Sequence, residues 1–113
     1  MGGESFPAGT GSNIEGLVQR AMAAKLSDER IHQIAKALAD PRRLELLRRI
    51  GKTGSMACES LRCTCVITAA TLSHHMKELE TAGLVEATRE GKFVTYTLRR
   101  DVLDAYLASL AQI

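Results

Sequence analysis

A mainly helical domain closed by one β-hairpin, α+β in class, is what this sequence predicts. Three observations carry the prediction. Apolar residues recur at helical spacing from Ile14 to Leu79, the period then switches to two over residues 84–98, and helical spacing returns over 103–110. At 113 residues the chain is long enough for one domain with a modest core.

Residues 1–11 are Gly-rich, and a disordered tail is expected there, with the folded domain over 12–113. Ser12 and Glu15 make a capping box ahead of Ile14, Leu17, Val18 and Ala21. Ser27 can cap a second helix with the stripe Ile31, Ile34, Ala35 and Leu38. In "ADPRRLELLRRI", Asp40 is an N-cap and Pro41 a helix-starting residue, and Leu44, Leu47 and Ile50 are the expected inner face. The "GKTGS" at 51–55 reads as a loop, followed by a short helix from about Met56 to Cys65. Thr68 then caps a helix with Leu72, Met76 and Leu79 inside, and Gly83 terminates it. "LVEATR" and "KFVTYTL" form two strands about the turn "REGK", with Val94, Tyr96 and Leu98 on one face. A last helix carries Leu103, Tyr106, Leu107 and Leu110. Helices, one hairpin and a closing helix is the element order of a winged helix-turn-helix.

Composition narrows the setting. No apolar run reaches membrane-spanning length, and "MGGESFPAGTGS" lacks the apolar core of a secretory signal. Phe6 stands where a myristoylation signal needs Ser or Thr. Three cysteines without an export signal suit a reducing cytoplasm, so a cytoplasmic protein without membrane contact is expected. Net charge is only +2, yet residues 40–100 carry eleven Lys and Arg against seven Asp and Glu. A basic middle between neutral and acidic ends suits nucleic acid.

At "ADPRRLELL", "TLSHHMKELETAGLVEA" and "GKFVTYTL" the sequence resembles the ArsR/SmtB family of bacterial repressors, without gaps from about Ile31 to Leu98. The resemblance implies a homodimer that binds double-stranded operator DNA and is released by a metal ion or another chemical signal. It also implies pairing through the terminal helices, so the stripes on 14–21 and 103–110 become dimer surface.

The helical period agrees. With Leu72, Met76 and Leu79 inward, Ala70, His74 and Lys77 share the opposite face, and a helix of this kind fits the major groove. Thr71 and Ser73 can bond to bases or phosphates, Ala69 and Ala70 can touch thymine methyls, and Thr68 with its neighbouring amides suits a phosphate. His75 falls at the edge of the buried stripe and reads as a hydrogen-bonded structural histidine. Arg89 and Lys92 flank Gly91 at the hairpin tip, where the family's wing lies against the sugar-phosphate backbone. Arg42 and Arg43 are secondary candidates for phosphate contact. The bland alternatives are a solvated helix face and a charged turn kept for solubility.

The cysteines lie within "ACESLRCTC": Cys58, Cys63 and Cys65. Arsenite-sensing family members carry a Cys-x-Cys pair in the helix before the recognition helix. Here the ungapped register puts Ala57 and Glu59 at those positions, with Cys58 between them. Cys58, Leu61 and Cys65 follow an i, i+3, i+7 stripe, whereas Cys63 sits roughly 140° around from Cys58. Three readings stay open: packing of Cys58 and Cys65 beside an exposed Cys63, binding of arsenite or another thiophilic ion by the three thiols, and sensing of an oxidant. The family's other site, a zinc site on the last helix, lacks its ligands, since 101–113 offers Asp101 and Asp104 but no histidine. Two further functions compete with DNA binding. One is a winged-helix module that binds protein. The other is a thiol–disulfide protein using Cys63-Thr64-Cys65, which lacks the strand–helix pattern of such enzymes. No enzymatic activity is expected.

Overall fold

The computed structural model describes residues 26–113. The expected tail over 1–11 and the helix carrying Ile14, Leu17, Val18 and Ala21 lie outside the described residues. Helix α1 spans Asp28–Leu38, α2 Pro41–Thr53, strand β1 Ser55–Ala57, α3 Cys58–Cys65 and α4 Ala69–Thr81. The hairpin strands β2 (Val85–Glu90) and β3 (Phe93–Leu98) follow, and α5 covers Arg100–Ala111.

The helix boundaries have local chemical causes. Ser27 Oγ accepts the Arg30 amide at 3.2 Å, which starts α1. Asp40 accepts the amides of Arg42 at 2.8 Å and Arg43 at 3.3 Å, and Pro41 sets the first helical φ of α2. Helix α4 ends in a Schellman motif: Gly83 N–H donates to Glu80 O and Leu84 N–H to Leu79 O, each at 3.0 Å. Gly83 has φ +83°, and a Cβ there would stand 2.5 Å from Arg30 Nη1, the group that reaches the Ala82 carbonyl. Gly83→Ala is therefore expected to lower stability by about 1–2 kcal/mol, mainly through the left-handed backbone. An unchanged midpoint in denaturant would remove that explanation of the turn.

The sheet has three antiparallel strands in the order β1-β3-β2, where the sequence predicted two. Ser55, Met56 and Ala57 pair with Thr97, Tyr96 and Thr95. This corrects both the expected loop at 51–55 and the expected helix start at Met56. Residues 51–53 instead complete α2. A three-residue strand is too short to show alternation, and what makes it a strand is a partner some forty residues away.

One core unites these elements. Ile34, Leu46, Ile50, Leu61, Leu72, Met76, Leu79 and Leu84 are its largest fully buried side chains. The inner face of α1 is Ile34 and Ala37, and Ala35 is exposed, contrary to the predicted stripe. On α2 the buried set is Leu46, Leu47 and Ile50, while the expected Leu44 is only half-buried. The expected interior of α4 is found as predicted. On α5, Val102 and Tyr106 enter the core and Leu103 packs against it, which turns Leu107 and Leu110 outward, each 43% exposed.

Candidate nucleic-acid interface

Helix α3, the turn at 66–68 and helix α4 form the helix-turn-helix. Its turn is tight because Val66 adopts a left-handed conformation, φ 47° and ψ 63°, which is uncommon for a β-branched residue. Val66 is also 90% exposed. Thr68 Oγ1 then accepts the Thr71 amide at 3.2 Å and donates to Thr71 Oγ1 at 2.9 Å. That leaves the Thr71 hydroxyl hydrogen available to an outside acceptor. The amides of Ala69 and Ala70 precede the first intrahelical bond, from Leu72 N–H to Thr68 O, and so they point out of the helix end.

Burial of Leu72, His75, Met76 and Leu79 fixes the rotation of α4. Thr68, Ala69, Ala70, Ser73, His74 and Lys77 are consequently exposed, and Thr71 is half-buried. All of the helix residues proposed from the sequence thus gather at the N-terminal end and outer face of one helix.

The wing stands beside them. Arg89 and Lys92 are both exposed, at the end of β2 and in the turn. Arg89 and Glu80 of α4 stand 3.7 Å apart with both side chains exposed, a loose surface ion pair between the wing and α4. Lys92 is then the wing-tip cation with no acidic partner among the described ion pairs. Arg43 is committed elsewhere: its Nε donates to the Ala37 carbonyl at 2.8 Å and its Nη2 to Lys36 O at 3.4 Å, capping α1. Arg42 stays exposed at the start of α2. Sequence reasoning passed over Phe93, which is 68% exposed at the wing tip. The available signal was its phase, one residue out of step with Val94, Tyr96 and Leu98.

His75 is buried as expected, at 7% exposure, but its Nδ1 has no hydrogen-bond partner. Burial pushes its pKa below the ordinary 6.5, the Asp40 carboxylate opposing this and Arg43, His74 and Arg42 adding to it. A group with a lowered folded-state pKa binds fewer protons folded than unfolded. Stability should therefore be full above pH 6.5 and fall as pH drops below it. Denaturation of the wild type and His75→Gln at several pH values between about 7.5 and 5 isolates this share. Identical pH dependence in the two proteins would reject it.

Cys58 and Cys65 pack against the core beside Leu61, and Cys63 is exposed. Among the described residues, no three His, Cys, Asp or Glu side chains are grouped to hold a metal ion. Helix α3 is intact across all three thiols, and seven residues of rise separate Cys58 from Cys65 by about 10 Å. Cys65 also lines a groove of about 560 Å³ between α2 and the turn, together with Arg42, Arg49 and Thr64. No helix of the described residues is long and apolar enough to cross a membrane.

Proteins of similar sequence and fold are known. The helix-turn-helix domain family matches residues 38–88. The arsenical resistance operon repressor of Staphylococcus xylosus is 35% identical over 79 residues, covering 70% of this chain and 75% of that protein. The crystal structure of an ArsR family transcriptional regulator superposes with a TM-score of 0.69 at 25% identity, covering 77% of this chain and 89% of that one. A homodimeric winged helix-turn-helix DNA-binding domain from Mycobacterium bovis, solved by NMR and described as a possible ArsR-family regulator, gives a TM-score of 0.62 at 31% identity. It covers 77% of this chain and 88% of its own. With a helix-turn-helix, a wing beside its second helix and relatives of this kind, the chain belongs to the ArsR family of winged helix-turn-helix transcriptional regulators.

Proposed function

We propose that this protein is a homodimeric, sequence-specific repressor whose α4 enters the major groove of operator DNA. It is a binding protein rather than an enzyme, and it works in the cytoplasm beside the genes it controls. The observation that carries the reading is the exposed face of α4, where Ala70, Ser73, His74 and Lys77 stand free while the opposite face is sealed in the core. His74 and Ser73 read base edges, Ala69 and Ala70 meet thymine methyls, and Thr68, Thr71 and Lys77 hold phosphates. Lys92, with Arg89 behind it, holds the backbone at the wing. Dimerisation through α5 supplies the second half-site, as the outward Leu107 and Leu110 and the homodimeric M. bovis neighbour support.

Release by arsenite or another thiophilic ion is the regulatory part of this reading, supported by the arsenical resistance relative. A zinc–sulfur bond is only about 2.3 Å long, so the intact α3 cannot offer Cys58, Cys63 and Cys65 to one ion. Cys63 and Cys65 lie in the last turn of α3, where local unwinding brings their sulfurs together. Because that turn leads directly into Thr68, unwinding it disturbs the cap of α4. Oxidation of the same pair has the same mechanical consequence.

A shift assay on the DNA upstream of the protein's own gene, repeated with arsenite, cadmium, zinc and peroxide, tests both parts. A specific shift is expected from the wild type, and Cys63→Ser should keep the shift but lose its reversal by arsenite. No shift on any duplex would reject the repressor. Reversal that persists in Cys63→Ser would reject the thiol pair.

A further inference from the structure

Among the described residues, five large apolar side chains stand exposed: Val66, Phe93, Leu107, Leu110 and Ile113. The last three lie on or just beyond α5 and suit the dimer contact. Phe93 has no such partner. It opens β3 at the far tip of the hairpin, paired across the strand with Glu90 and next to the two-residue turn Gly91-Lys92. Alternation along β3 points Val94 and Tyr96 in opposite directions from their neighbours, and Tyr96 is the one sealed in the core. Phe93 lies beyond the reach of that core, so no packing within the described chain accounts for an aromatic ring at this position.

We propose that Phe93 is a DNA contact, the apolar member of the wing tip, and that its ring lies in the minor groove against the deoxyribose edges. The inference rests on the DNA-binding reading above and adds a residue and a kind of force to it. The tip is not purely cationic: Glu90 puts a carboxylate directly opposite Phe93, and Arg89 stands 3.7 Å from Glu80. Among the described residues, Lys92 is the cation at the tip that forms no ion pair. An aromatic ring in a narrow groove loses its exposed surface and can part the edges of a flexible base step, as apolar wedges do in other minor-groove proteins. This contact releases no counterion, so its contribution is independent of salt, whereas that of Lys92 is not.

Two measurements on the intact protein test it. Binding of the operator duplex is titrated across salt for the wild type, Phe93→Ala, Phe93→Leu and Lys92→Ala. Phe93→Ala is expected to weaken binding about tenfold at every salt with an unchanged slope, and Phe93→Leu to recover part of the loss. Lys92→Ala should instead make the slope shallower by about one for each phosphate contact removed. The chain contains no tryptophan, so Phe93→Trp gives a single emission signal at the tip. That emission should shift or be quenched when operator is added. Wild-type affinity in Phe93→Ala, or tryptophan emission blind to operator, would overturn the proposal while leaving the repressor reading intact. Failure of the wild type to bind any duplex would remove both.

Discussion

Replacing Leu107 and Leu110 together by aspartate is expected to give a folded monomer that no longer holds its operator. Both side chains are 43% exposed and neither belongs to the core, so two carboxylates there cost little within one subunit. At a two-fold contact they would bury four charges with no partners, which a dimer cannot tolerate. Loss of the second half-site should weaken operator binding by roughly a hundred- to ten-thousandfold, the gain that joining two binding units confers. Light scattering on the double variant, with circular dichroism to verify folding, reads the result. A dimer of unchanged mass would move the interface elsewhere. The dimer stripe expected from the sequence also included Leu103. Leu103 packs against the core, so an aspartate there tests folding instead.

Operator affinity is expected to fall steeply with salt, by roughly a thousandfold between about 50 and 200 mM, if each subunit places three basic side chains on phosphates. Arg42, Lys77 and Lys92 are the three exposed candidates, Arg43 being used to cap α1 and Arg89 being shared with Glu80. On this background His74→Ala should cost the operator roughly 1–3 kcal/mol and leave random duplex almost unaffected. Binding titrations of both duplexes across salt separate the roles. Equal losses on operator and random DNA would show that His74 reads no base.

The parts of this fold that the sequence made legible are those whose causes are local. Asp40-Pro41, Thr68 and Gly83 each act within one helical turn, and each marks the boundary expected of it. The inner face of α4 followed from spacing alone, and with it the exposed set from Ala70 to Lys77. Strand β1 was hidden because its cause is nonlocal: Met56 becomes strand only once Tyr96 lies beside it. Ala35 and Leu44 misled for a related reason. Both fit a helical stripe, but which apolar residue faces inward depends on the neighbouring helix, and Ala37 and Leu46 are the ones buried. The unpartnered Nδ1 of His75 was equally out of reach, since spacing reports burial and not hydrogen bonding.

The left-handed Val66 gives the turn before α4 an energetic direction. Its backbone conformation costs about 1–2 kcal/mol that glycine would avoid, and its side chain recovers little of this by packing. That energy is returned to whatever unwinds the end of α3, and under the proposed thiol reading an effector at Cys63 and Cys65 would draw on it. Linkage would make the relation mutual: if operator binding needs the turn intact, as the proposed contacts of Thr68 and α4 require, DNA must weaken the effector's grip by the same factor. On that reading the free protein binds the effector more tightly than the DNA-bound form does.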